Sequence, residues 1–223
     1  MNGPFEAWVA RPWRILGELL RPEWVLRRHR VFATVVVFGS ARVHAGSRWY
    51  EEARSFASLL AACEDPRCRE WLVITGGGPG VMEAANRGAT EAGALTAGLN
   101  IRLPREQQAN PYISKGLAFH FRYFALRKFH FMLRARALVA FPGGFGTLDE
   151  LFEALTLVQT GKVTALPIVL VGREFWNRAI DFPWLIEQGM LTPAEAALVT
   201  LVDSGAEAAR VLLASRAVTH IAP

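Results

Sequence analysis

At 223 residues the chain has the length of one domain, or of one domain with an arm. Hydrophobic residues make up 52% of it and charged residues only 20%, which excludes a disordered chain and supplies a large core. The net charge of +5 rests on arginine, because Lys115, Lys128 and Lys162 are the only lysines. A basic balance suits nucleic acid or phosphorylated substrates alike. With no nucleic-acid-binding motif present, no nucleic acid is expected. No apolar run reaches membrane-spanning length, and the N-terminus has no uninterrupted signal-peptide core, so a cytoplasmic protein with no membrane span is expected. Cys63 and Cys68 frame Glu-Asp-Pro-Arg. They read as two free thiols at a helix end in preference to a redox clip. Two cysteines with no further ligand nearby argue against zinc. No metal and no cofactor are expected.

Residues 1–30 stand apart. Trp8, Trp13 and Trp24 are interleaved with Arg11, Arg14, Arg21, Arg27, Arg28 and Arg30, and Ile15, Leu16, Leu19 and Leu20 have helical spacing. Such a basic, Trp-bearing helix can lie on a membrane surface. The plainer reading is an arm packed on its own domain or on a neighbouring subunit. An α/β domain follows over 31–216, with a tail over 217–223.

Val31–Phe38 reads as a buried parallel strand, with Gly39-Ser40-Ala41-Arg42 as its turn. A helix is expected over 48–62, with Tyr50, Ala53, Phe56, Ala57 and Leu60 on one face. Trp71–Ile74 is the second strand. It runs into Gly76, Gly77, Gly78, Pro79 and Gly80, and a helix carrying Glu83 follows. This glycine turn is neither a dinucleotide fingerprint nor a P-loop, and tight packing alone explains many such turns. Ala94–Ile101 is a third strand. It opens into a polar loop in which Glu106 and Asn110 either face solvent or hold substrate. Leu117–Phe121 is a short strand. Arg122–Arg136 reads as a helix with Arg127, Lys128, His130, Arg134 and Arg136 on its polar surface.

The stretch Phe141-Pro-Gly-Gly-Phe-Gly-Thr-Leu-Asp-Glu150 is the strongest signal. An apolar strand, Ala137–Phe141, ends in glycines, and a helix expected over Leu148–Thr160 follows. The free N–H groups of such a helix start suit a phosphate. Glu150 has two readings. With Thr147 it has the spacing of a capping box, which would only close the helix. Alternatively it faces a ligand whose phosphate sits on the glycines. A carboxylate beside the anomeric carbon of a ribose phosphate can stabilise an oxocarbenium-like transition state or orient a water. Its partner should be a cation, and Arg127 is the best placed. Leu166–Val171 is another strand, and helical patterns follow to Ser215. About six or seven strands alternating with helices point to an α/β fold with a doubly wound, open parallel sheet and helices on both faces.

Several motifs resemble the LOG family of cytokinin-activating enzymes, long described as lysine decarboxylases. They are Phe38-Gly-Ser-Ala-Arg42, Thr75-Gly-Gly-Gly-Pro-Gly-Val-Met-Glu-Ala84, Leu103-Pro-Arg-Glu-Gln107, Tyr123-Phe-Ala-Leu-Arg-Lys128, Pro142–Glu150 and Thr156–Gly161. The likeness spans roughly residues 31–215 and is nearest the larger bacterial branch. It implies a Rossmann-like nucleoside-monophosphate hydrolase domain. The implied reaction splits the N-glycosidic bond of a cytokinin riboside monophosphate or AMP into free base and ribose 5-phosphate. It also implies Arg127 and Glu150 as the catalytic pair. Gly143, Gly144, Phe145, Gly146 and Thr147 become the phosphate cradle, and Glu106, Lys128 and Thr156 substrate contacts. A homodimer, or an assembly of dimers with sites near the interface, is implied as well. One departure is Tyr123-Phe-Ala-Leu126, where the compact branch has Met-His before the Arg-Lys pair; it bears on base preference. The competing reading is a non-catalytic nucleotide or molybdenum-cofactor carrier on the same fold. A pyridoxal decarboxylase would need a Schiff-base lysine, and Lys128 alone is near the motifs.

Overall fold

Each short apolar run forms a strand, and all the strands run parallel. The structure, a computed structural model, describes residues 4–64, 70–102 and 108–215, without the side chains of 4–9. A helix α1, Pro4–Arg28, precedes strand β1, Ala33–Phe38. The order continues α2 (Arg48–Ala61), β2 (Trp71–Thr75), α3 (Val81–Glu91), β3 (Thr96–Ile101) and β4 (Ala118–Phe121). After these come α4 (Phe124–Leu133), β5 (Ala135–Ala140), α5 (Phe145–Gln159), β6 (Ile168–Val171), α6 (Arg173–Ala179) and α7 (Phe182–Glu187). The short helix α8 (Pro193–Ala196), β7 (Val199–Val202) and α9 (Gly205–Ala214) complete it. The seven-stranded sheet has the order β4-β3-β2-β1-β5-β6-β7. Strand β7 is only four residues long and half-buried, too weak a pattern to read from sequence.

The chain winds outward from β1 in one direction and from β5 in the other. A crevice therefore opens at the carboxyl ends of β1 and β5, where ligands of doubly wound sheets bind. Both sheet faces are covered, which is why the strands read as unbroken apolar runs. Val35, Val37, Val139 and Val169 pack on one face with Tyr50 and Phe56 of α2, Ala85 of α3 and Leu212 of α9. Val36, Ile74, Leu99 and Leu138 pack on the other with Phe131 of α4, Leu151 of α5, Trp176 of α6 and Leu26 of α1. No helix among the described residues is long and apolar enough to cross a membrane. Cys63 is held in a disulfide, which corrects the expectation of two free thiols; Cys68 lies outside the described residues.

A buried polar cluster ties the second glycine turn to the sheet. Asn86 of α3 accepts from Thr75 Oγ1 at 2.7 Å and from Asn110 Nδ2 at 2.9 Å. Its own amide donates to Thr96 Oγ1 and to Ala97 O. The backbone N–H of Asn110 donates to Gly77 O at 2.9 Å, and its side chain to Gly78 O at 3.1 Å. Asn110 is therefore a buried strut, not a solvent-facing loop residue. Every one of these groups would be costly if left unpaired. We expect Asn86→Ala to lower unfolding free energy by roughly 2–3 kcal/mol in a urea titration, the scale of a broken buried network. A loss below about 0.5 kcal/mol would mean that the cluster is dispensable.

Candidate active site

Three turns meet at the crevice. Ser40, after β1, donates its backbone N–H to Pro142 O at 3.0 Å, and Ser40 O accepts from Val81 N at 3.0 Å. The turns after β1, β2 and β5 are thus stitched together through one serine backbone. Gly80 has φ +70°, and a Cβ there would collide with the Ser40 carbonyl. Only glycine lets the turns approach so closely.

The helix α5 begins at Phe145, three residues earlier than expected, with Gly144 as N-cap and no acidic residue in its first turn. The capping-box reading of Thr147 and Glu150 therefore fails: both lie inside the helix. Thr147 is buried against Gly143, where any Cβ would collide with it. Gly144 and Gly146 differ. A Cβ on either would meet nothing within 4 Å, and neither has a positive φ. Nothing among the described residues demands glycine at these two positions. A side chain at either would stand in open space at the start of α5, whose free N–H groups favour an anion. Phe145 projects beside that space, 92% exposed.

Arg127 and Glu150 lie together against this turn. Arg127 sits on the inner face of α4 with His130 and Phe131, not on the polar surface expected of it. The helix ends at Leu133, so Arg136 belongs to β5. Arg127 Nη2 donates to Glu150 Oε1, and both side chains are only 11% exposed. The guanidinium lies 5.3 Å from the Phe124 ring centre and 5.6 Å from that of Phe131. A Cβ on Gly76 would stand 3.9 Å from Arg127 Nη1, so the second glycine turn borders the pair as well. Burial pushes the Glu150 carboxyl up to about 7. Arg127 and Lys128 pull it back, while Asp149 and Glu153 add to the rise. A carboxyl with this environment is poised to exchange a proton near neutrality.

The remaining expected residues divide. Lys128 does not pair with Glu150 directly but with Asp149 at 2.8 Å and Glu153 at 3.1 Å. Despite desolvation, these two carboxylates hold its ammonium above the usual lysine range. Thr156 donates to Phe152 O at 2.8 Å and is exposed, about 9 Å farther along the helix from Glu150. Within one chain it stands apart from the crevice. Glu83 accepts from the Tyr50 hydroxyl at 2.9 Å, which fixes α3 to α2. Glu106 lies outside the described residues. A cleft of about 970 Å³ lies elsewhere, lined by Phe129 and Leu133 of α4, Leu157 of α5, Phe32 and Arg136. It touches Lys128 and Glu153 but neither member of the pair.

Because the folded chain binds the Glu150 proton more tightly than an unfolded chain with its carboxyl near 4.5, ionising Glu150 costs stability. That stability is complete below about 4.5 and is lost as pH rises to about 7. Glu150→Gln removes the titration. Its stability relative to the parent chain should improve steadily across that window, measured by thermal unfolding at a series of pH values. A constant difference between pH 4.5 and 7 would show that Glu150 is not desolvated.

Residues 82–212 match the profile of a family described as "Possible lysine decarboxylase". The cytokinin riboside 5'-monophosphate phosphoribohydrolase LOG1 of Arabidopsis thaliana is 31% identical over 83 residues, which is 36% of this chain and 38% of that protein. The chain thus spans well under half of this plant relative. The cytokinin riboside 5'-monophosphate phosphoribohydrolase of Rhodococcoides fascians is 26% identical over 170 residues, 72% of this chain and 79% of that one. Among solved structures, the molybdenum cofactor binding protein of Rippkaea orientalis superposes with a TM-score of 0.56 at 22% identity, over 81% of this chain and 95% of that one. That likeness concerns the fold alone. The profile covers more than half of the chain, and the protein is a member of this family, the LOG family.

Proposed function

We propose that the protein hydrolyses the N-glycosidic bond of a nucleoside 5'-monophosphate, releasing free base and ribose 5-phosphate. The observation that carries this reading is the buried Arg127–Glu150 pair set against a helix start whose glycines leave room for an anion. The 5'-phosphate would rest on the N–H groups at the start of α5, with Gly144 and Gly146 giving it access. The ribose C1′ would then lie toward Glu150. As the C1′–N bond breaks, its electron pair leaves with the base, which becomes neutral by receiving the proton that Glu150 takes from water, and the carboxylate is regenerated. Glu150 takes a proton from the attacking water, whose oxygen bonds to C1′. The same carboxylate faces the positive charge that develops on the sugar. Arg127 holds Glu150 in place and offsets part of the cost of burying its charge.

A cytokinin riboside monophosphate and AMP are the expected substrates. The decarboxylase description has no support in the lysines. Lys128 is held charged by two carboxylates, whereas a Schiff-base lysine must lose its proton readily. A carrier of a phosphate-bearing cofactor would use the same cradle, but it has no need of a buried acid–base pair.

Incubation with AMP and with isopentenyladenosine monophosphate, followed by assay for free base, tests the proposal. Release of base from at least one is expected, with kcat/KM rising through an apparent pKa near 7 as Glu150 ionises. Glu150→Gln and Arg127→Ala should each cost about 10²–10⁴-fold in kcat, the range of a positioned acid–base group. Tight nucleotide binding with no base released from either compound would favour the carrier.

We further propose a dimer formed through α4 and α5. Phe124, Phe129, Leu133 and Phe152 of these helices are all roughly half exposed, more apolar surface than a lone helix pair gains by showing to water. Light scattering should give twice the chain mass for the parent and the single-chain mass for Phe129→Glu/Leu133→Glu. A monomeric parent at micromolar concentration would overturn this.

A further inference from the structure

The helix α1 has so far been only an arm, yet its inner face grips one element, the helix that carries Arg127. The grip has three points. At the start of α4, the Glu18 carboxylate accepts from the backbone N–H of Arg122 at 3.0 Å and of Tyr123 at 3.4 Å. Tyr123 is the N-cap residue of α4 and offers no capping side chain of its own. Midway along, His130 Nε2 donates to Glu18 O at 3.0 Å. A carbonyl can only accept, so Nε2 carries the proton. At the far end, Glu23 Oε1 pairs with Arg134, the C-cap residue, at 2.6 Å. Leu26 of α1 is buried beneath the same helix layer.

Arg127 needs such external bracing. Its Nη2 meets Glu150, its Nε is buried without a partner, and the rings flanking it, Phe124 and Phe131, belong to its own helix. Among the described residues, no hydrogen bond or ion pair other than that to Glu150 reaches its guanidinium from outside α4. Its place is therefore the place of α4, and a ten-residue helix does not hold itself in water. Glu18 supplies an acceptor for the N–H of the N-cap residue Tyr123 and for that of Arg122 just before it, and a negative charge at the positive end of the helix dipole.

We propose that Glu18 is a positioning residue for the reaction: by capping α4 from α1, it sets Arg127 against Glu150. This rests on the reading of Arg127 and Glu150 as the catalytic pair. The groups that face Glu150 are Arg127 and Lys128 from α4 and Asp149 and Glu153 from its own helix. Loosening α4 withdraws the two cations and leaves the two carboxylates. Water entering as α4 loosens relieves the burial that raises the carboxyl, so the titration of Glu150 must move from its parent position by the balance of the two.

The test compares the parent chain with Glu18→Ala and Glu18→Gln. Gln keeps an acceptor oxygen for the helix start and folds with less disturbance. Three readouts are needed: hydrogen exchange of amides 122–127, the carboxyl titration of Glu150 by NMR, and kcat with its pH profile. Glu18→Ala is expected to exchange faster over 122–127 and to shift the Glu150 titration away from its parent position. Its kcat should fall by up to about 10²-fold, the effect of displacing a catalytic group by about 1 Å. Its acidic limb should shift the same way, and Glu18→Gln should recover most of each change. If Glu18→Ala fails to fold, a smaller shift of the Glu150 titration in Glu18→Gln carries the same expectation. Parent-like exchange and titration in both variants would overturn the proposal, as would unchanged kcat and acidic limb beside a mere loss of stability. If the parent itself releases no base, the hydrolase reading falls, while the exchange and titration readouts still decide whether Glu18 positions the pair.

Discussion

The arrangement depends on keeping one arginine and one glutamate out of water, side by side, at the end of a sheet. Two such charges are costly to desolvate, and their attraction offsets that cost only when both are held in register. Arg127 and Glu150 sit on different helices, so register between helices is the requirement. The rise of the Glu150 carboxyl shows that the offset is incomplete: burial outweighs the neighbouring cations. A carboxyl in that state is poorly spent on stability and well suited to proton transfer.

The rest of the fold supplies the register. The sheet reverses its winding between β1 and β5, which leaves the crevice. Turns after β1, β2 and β5 close its floor, joined through Ser40. The Asn86 cluster anchors the second glycine turn from beneath, beside the guanidinium. Helix α5 is fixed by Leu151, Ala154 and Val158 on the sheet, so Glu150 rides on a well-packed element. Helix α4 is shorter and borrows support from α1. The two halves of the pair therefore differ in how firmly they are held.

Much of this was legible in the residues. Short runs rich in β-branched residues, such as Thr34–Phe38 and Ile168–Val171, read as strands covered on both faces, and glycine-rich turns after β2 and β5 mark a carboxyl-end site. The motif 142–150 marked the cradle, and the spacing from Arg127 suggested a cation for Glu150. Other features were not legible. Polar residues inside strands and loops, such as Thr96 and Asn110, have no periodic signature, because their partners lie far along the chain. The four-residue β7 is too short to show alternation. Glu18 sits in what looked like a separate basic arm, more than 100 residues from the amides it caps.

The sequence by itself determined the layered α/β class, the glycine turns and the candidate pair, because these follow from local pattern: period, turn chemistry and helix-start geometry. Only the tertiary structure decided that Glu150 faces Arg127 instead of capping its own helix, since the helix starts at Phe145 and carries the carboxylate into its interior. It alone turned Lys128 toward Asp149 and Glu153, and it alone joined α1 to α4. Those choices depend on which helix faces lie against the sheet and against each other. Packing of distant segments sets that, and no local pattern encodes it.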